Sequence, residues 1–139
     1  MVDLAVPFQP RPDAASAGYW EATIRGELRM AFCAACSRWL MPPPDECPMC
    51  EGPLSFEPVA GTGTLFSLIV AHQPTMPGYL ENLPYRVGLV ELDEQVGLRI
   101  PGTLDPACVP ALKIGDRVRI EMVELPGGPY RIPRFTRLD

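Results

Sequence analysis

The sequence is short of the residues that most enzymes and nucleic-acid binders rely on. Among its 139 residues there is one lysine, Lys113, and one histidine, His72, and the remaining eleven basic residues are arginines. The formal net charge is −5. Binding to a phosphate backbone scales with the phosphates neutralised by Lys and Arg, so this balance argues against a nucleic-acid partner. A single histidine excludes a paired-histidine metal site, and no P-loop, G-x-S-x-G or H-E-x-x-H motif is present. No catalytic residues are expected. Long apolar runs are absent too: nothing approaches the roughly 20 residues of a membrane span. The opening MVDLAVPFQP carries neither a basic stretch nor an apolar run of signal-peptide length. The expectation is a cytoplasmic protein with no membrane contact, in a compartment that keeps thiols reduced.

What the sequence has in excess is proline. Eighteen prolines exclude long helices over most of the chain, while a 47% apolar fraction is enough for a core. The first twelve residues hold three of the prolines and read as an extended arm. Asp13 is placed to cap a helix running to about Phe32, with Trp20, Ile24 and Leu28 at four-residue spacing on one face and Gly26 weakening its second half. From Leu54 onward the pattern changes to strand-like runs: LSFEPV, TGTLFSLIVAHQ, YRVGLVELDE, VGLRIPGTL, RVRIEMVEL and YRIPRFTRL. Gly/Pro punctuation (AGTG, QPTMPG, KIGD, LPGGP) separates them. The cleanest alternation sets Val118, Ile120 and Met122 inward against Arg117, Arg119 and Glu121. Five or six short strands without helical crossovers indicate an antiparallel barrel or sandwich.

Between helix and strands lies FCAACSRWLMPPPDECPMC, two C-x-x-C pairs separated by ten residues. Disulfides are disfavoured in a reducing compartment, and a thioredoxin-type motif needs one such pair in a βαβ setting that is missing here. A cysteine nucleophile needs a base, and His72 is the only histidine. A metal cage uses all four thiols at once: each C-x-x-C is a knuckle presenting two thiolates, and two knuckles make a tetrahedral S₄ site. Cys33, Cys36, Cys47 and Cys50 are the expected ligands, with structural Zn²⁺ favoured over iron because four protein thiolates leave no open position. Iron would make the module an electron carrier, red when oxidised. Ser37 and Glu51 follow the second cysteine of each pair, where a zinc knuckle often has glycine. Cys108, in DPACVP, stands outside the cage.

Taken in order, YWEATIRGELRMAFCAAC, DECPMC, AGTGTLFSLIVAHQP, PYRVGLVELDEQVGLRIPGTL and KIGDRVRIEMVE resemble the DUF35 family of acyl-CoA-associated OB-fold proteins. The resemblance spans roughly residues 15–125. It implies a mainly β fold: an N-terminal arm and helix over residues 1–31, a rubredoxin-like zinc ribbon over 32–54 and a five- to six-stranded OB-fold barrel over 55–139. It implies further that the chain is a non-catalytic accessory subunit of a thiolase-superfamily complex. Such a complex carries out thiolase, acyltransferase or steroid side-chain aldolase chemistry on C–C bonds. Assembly as a heterotetramer and a CoA thioester as ligand belong to the same implication. The alternative, a ribbon-plus-barrel module for nucleic acid, has the acidic charge balance against it.

Residues 71–84, AHQPTMPGYLENLP, form a connection longer than a hairpin needs, and Met76, Tyr79, Leu80 and Leu83 within it require cover from the barrel, a partner or a ligand. His72 opens this segment, either as a hydrogen-bonded structural residue or as a group lent to a partner's active site. Arg86 is the candidate for a CoA phosphate, with Arg131, Arg134 and Arg137 as weaker ones.

Overall fold

The computed structural model describes residues 6–73, 78 and 83–138. Asp13 and Ser16 close the first turn reciprocally: Ser16 N donates to Asp13 Oδ1 at 2.8 Å and Asp13 N donates to Ser16 Oγ at 3.1 Å. That exchange satisfies two amides before the helix proper, α1 (Ala17–Ile24), begins. The helix does not reach Phe32. Gly26, at φ 78°, adopts the left-handed conformation that ends helices. Glu27 N then donates back to Ala22 O at 3.0 Å and Gly26 N to Thr23 O at 2.9 Å, a Schellman pair that satisfies two of the last carbonyls.

The buried face of α1 also differs from the expected stripe. Tyr19, Ala22 and Thr23 are buried, whereas Ile24 is 43% exposed. Trp20 is half-buried, edge-on to Tyr130 with ring centroids 5.7 Å apart. Leu28 is buried from the extended segment after the helix. The helix lies so close to the neighbouring sheet that a Cβ at Gly18 would overlap the Phe56 ring.

The next strands form a small sheet of their own. β1 (Arg29–Cys33) is its centre, flanked by β2 (Arg38–Leu40) and β3 (Ser55–Pro58) in the order β2-β1-β3. Both pairings are antiparallel, with Phe32 opposite Trp39 in one and Ala31 opposite Phe56 in the other. The run LSFEPV is thus a strand as expected, but of this sheet and not of the barrel.

Five strands remain: β4 (Thr62–Ala71), β5 (Tyr85–Leu92), β6 (Arg99–Leu104), β7 (Arg117–Glu124) and β8 (Arg131–Arg137). They close a barrel in the order β4-β5-β6-β8-β7. The contact of β6 with β8 is parallel, through Thr103↔Arg134 and Leu104↔Phe135, so closure is not wholly antiparallel. A bulge between Leu65 and Ser67 bends β4 around the barrel. Its pairing with β7 is confined to Thr62, Gly63 and Thr64. The interior is filled by Leu65, Val90, Ile100, Val118 and Phe135, all fully buried. On β7 the alternation holds at its start, with Val118 in the core and Arg117 and Arg119 facing outward; further on Ile120 and Met122 pack against the core, but Glu121 is partly buried as they are. The architecture is mainly β, an N-terminal helix and ribbon followed by a five-stranded OB-fold barrel. No described helix is long and apolar enough to cross a membrane.

Candidate metal centre and barrel-end cavity

The first C-x-x-C pair sits on the β1–β2 hairpin and the second on a turn that returns toward it. Cys33 ends β1 opposite Arg38, so Ala34, Ala35 and Cys36 must turn tightly. In the second knuckle Glu51 N donates to Cys47 O at 2.8 Å and Cys47 N to Gly52 O at 3.1 Å. Ser37 (φ 52°) and Glu51 (φ 60°) occupy the same place in the two knuckles, and both are left-handed. They keep the conformation glycine would take there without being glycine.

The four sulfurs converge. Cys33 Sγ lies 3.6 Å from Cys50 Sγ, Cys47 Sγ lies 3.9 Å from Cys36 Sγ, and all four are within 4.8 Å of one another. A tetrahedron with Zn–S bonds of about 2.3 Å has S···S edges of about 3.8 Å, so the donor set fits a zinc ion. Cys33 and Cys47 are buried while Cys36 and Cys50 face solvent. Backbone amides of Cys50 and Met49 pull the Cys47 thiol down to about 7, favouring the thiolate that a metal requires. Contact with the Cys50 and Cys47 sulfurs pushes Cys36 up to about 12. Such crowding of thiolates is relieved by a divalent cation at their centre. With all four positions taken by protein sulfur, the centre has no place for a substrate.

The ribbon is tied to the barrel through the β5–β6 turn. Gln95 hydrogen-bonds both backbone groups of Trp39, and Trp39 in turn lies 4.7 Å from the Phe32 ring. Next to it, Glu94 accepts from Ala60 N at 2.7 Å. Asp93 completes the turn, receiving two 2.6 Å hydrogen bonds from Arg117 and one from Thr62. The Arg117 guanidinium holds the Asp93 carboxyl down at about 2.

The other sequence-level candidates are not gathered at the sulfur cluster. His72 is exposed just beyond β4. Met76, Tyr79 and Leu80 lie outside the described residues. Arg86, on β5, donates to Leu112 O at 2.9 Å. Arg134 pairs with Glu121 at 2.8 Å, Arg137 donates to Pro110 O at 2.7 Å, and Arg131 packs by its guanidinium against Gly26. Cys108 Sγ is 3.6 Å from Thr136 Oγ1.

Arg86, Arg134 and Cys108 do share one feature, a cavity of about 570 Å³ at the end of the barrel where β5 and β8 begin and β6 and β7 finish. Pro7 of the N-terminal arm forms part of its wall. Neither this cavity nor the Gln95 clamp is signalled locally, since both are assembled from distant residues.

Two family models match the chain: the ChsH2 rubredoxin-like zinc ribbon domain over residues 20–57 and the ChsH2 C-terminal OB-fold domain over residues 56–123. Of solved structures, a chain of the "Ltp2-ChsH2(DUF35) aldolase" superposes with a TM-score of 0.81 at 32% identity, covering 93% of this chain and 98% of that one. A DUF35-family protein of unknown function from Sulfolobus solfataricus shares the fold, with a TM-score of 0.52 at 15% identity over 84% of each chain. Curated relatives include a "Probable enoyl-CoA hydratase alpha subunit" of Thermomonospora curvata, 37% identical over 84% of this chain. The "3-oxo-4,17-pregnadiene-20-carboxyl-CoA hydratase alpha subunit" of Mycobacterium tuberculosis is 31% identical over 86% of it. The chain spans 36% and 37% of the lengths of these two relatives.

Proposed function

The chain belongs to the ChsH2 (DUF35) family, which joins a rubredoxin-like zinc ribbon to an OB-fold, and from that premise we propose that it is a non-catalytic accessory subunit of an acyl-CoA-processing complex. Its companion is a thiolase-superfamily enzyme performing aldolase- or thiolase-type C–C bond chemistry on a CoA thioester. The observation that carries this reading is the near end-to-end match to a chain of an Ltp2-ChsH2(DUF35) aldolase. The sulfur cluster agrees with it, because a closed S₄ centre stabilises a small module and offers no site for chemistry.

In this role Cys33, Cys36, Cys47 and Cys50 hold one zinc ion, which supplies a cross-link between two knuckles and no reactive group. The companion supplies the nucleophile and the acid and base. The segment carrying His72, Met76, Tyr79 and Leu80 faces the companion or the acyl-CoA. Arg86 meets an anionic part of the ligand, and two copies of each subunit make a heterotetramer.

Purification of the tagged chain from its own host, with everything bound to it identified by mass, tests the assignment. A thiolase-superfamily protein should appear in equal amount, and cleavage or formation of an acyl-CoA C–C bond should require both chains. A chain that elutes alone, or a companion fully active without it, overturns the proposal.

A further inference from the structure

We propose that the barrel-end cavity is a small-molecule site of this chain for an amphipathic anion, an apolar body bearing one carboxylate or phosphate that is met by Arg134 and Arg86. The proposal deepens the accessory reading by giving the chain a ligand of its own, and it needs no companion subunit to be true.

Size and lining favour a bound molecule over a mere gap. About 570 Å³ in a pocket open on one side falls within the range of pockets that hold small ligands. Leu104, Val123 and Ile132 supply an apolar floor from three different strands. The two arginines bring cationic planar donors to that floor. Arg86 is held in place by its bond to Leu112 O, with the rest of its guanidinium not committed by that bond. Arg134 is tied through one terminal nitrogen to Glu121, yet its Nε is buried with no hydrogen-bond partner among the described residues. That nitrogen is shielded from anything in the cavity, so a ligand meets the terminal nitrogens instead, on a side chain that is 38% exposed and tied to Glu121 through only one of them.

Two carboxylates also line the cavity. Asp105 is engaged locally, accepting from Ala107 N at 2.9 Å, and Glu124 is exposed at the rim. The donors that line the cavity come from two guanidinium groups, which favours an anion. Carboxylate and phosphate share this chemistry through bidentate contact with arginine. The arm closes one side: Pro7 lines the cavity while Gln9 Nε2 holds Pro126 O at 2.8 Å.

The test uses the zinc-loaded full chain and three probes of equal apolar length: octanoate, octyl phosphate and octanol. Calorimetry should give saturable binding of at least one anion with a Kd of about millimolar or tighter, as expected for so few atoms. Octanol should bind at least about tenfold more weakly. Whichever of octanoate and octyl phosphate binds tighter identifies the headgroup. Ile132→Trp, which fills the floor, should abolish binding. Arg134→Leu should weaken it about tenfold or more, with Arg134→Lys recovering part of the loss. Arg25→Leu, an equal charge change just after α1 at a side chain that ion-pairs with Glu27 and lies outside the cavity lining, should leave it unchanged. Zinc content and thermal midpoint establish that each variant is folded, and Ile132→Trp carries the test should the Arg134 variants unfold. Octanol that binds as tightly as the better anion, binding that survives Ile132→Trp, or no saturation with either anion at about 10 mM would each overturn the proposal. Failure here leaves companion binding untouched, so the two readings fall separately.

Discussion

The side-chain amide of Gln95 makes both main-chain hydrogen bonds of Trp39: Oε1 accepts from Trp39 N at 2.9 Å, and Nε2 donates to Trp39 O at 2.9 Å. A residue of the barrel thereby acts as one further rung beside β2 of the ribbon, where no neighbouring strand is present among the described residues. Gln95→Ala leaves a donor and an acceptor without partners and is expected to cost about 1–2 kcal/mol. Hydrogen exchange at the Trp39 amide should accelerate and the thermal midpoint should fall, with zinc retained. Gln95→Glu keeps the acceptor but turns an oxygen toward Trp39 O, and should be no better than alanine at neutral pH.

Cys33→Ser should release the metal and the companion together, whereas Cys108→Ser should leave both bound. Metal analysis and gel filtration of the two variants separate a cage role from a nucleophile role for cysteine in this chain. Chelation of the wild type should erase protection of the ribbon amides first, because a three-stranded sheet of this size lacks enough buried surface to persist alone.

The left-handed Glu51 offers a gain in stability. At φ 60° the side chain imposes a steric cost that glycine does not. Glu51→Gly should therefore raise the thermal midpoint by the equivalent of about 0.5–1 kcal/mol and slow zinc loss to a competing chelator. Ser37→Gly should do the same in the other knuckle, since its φ is 52°.

Asp93 sets an acid limb. Its carboxyl is held at about 2 by Arg117, below the 3.8 it has when unfolded, so its contribution is complete above about pH 4 and is lost as pH falls toward 2. The pair is nearly half exposed, at 46% and 40% for the two side chains, which limits the gain to about 1 kcal/mol or less. Asp93→Asn should lower stability at pH 7 and flatten the decline between pH 4 and 2. Denaturant midpoints across that range provide the comparison.

The barrel was readable because its short β-rich runs are bounded by Gly/Pro turns, and one of them, RVRIEMVEL between KIGD and LPGGP, also alternates apolar with charged residues. The sulfur cluster was readable because metal geometry fixes cysteine spacing. Two of the three ribbon strands, β1 and β2, were not. Leu28 and Phe32 sit four residues apart in a run that also reads as a helix face, and only the left-handed Gly26 converts that run from helix to β1. The stripe on α1 was displaced for a related reason: Tyr19, Ala22 and Thr23 face the sheet because Gly18 allows close approach to Phe56, a tertiary fact. Arg86 was singled out from sequence, but the cavity it lines depends on four strands and an arm that meet only in the fold.

The short pairing of β4 with β7 has a colloidal consequence. Beyond Leu65, whose backbone is still bonded to Gly115 and Asp116, that side of β4 has no strand beside it among the described residues, and Ile69 and Val70 are exposed. Such an edge is a template for another chain, and concentrated protein would pair through it. The net charge of −5 works against that outcome by keeping like molecules apart. Solubility of the free chain should therefore be governed by salt: raising ionic strength weakens the repulsion and leaves the adhesive edge as it was.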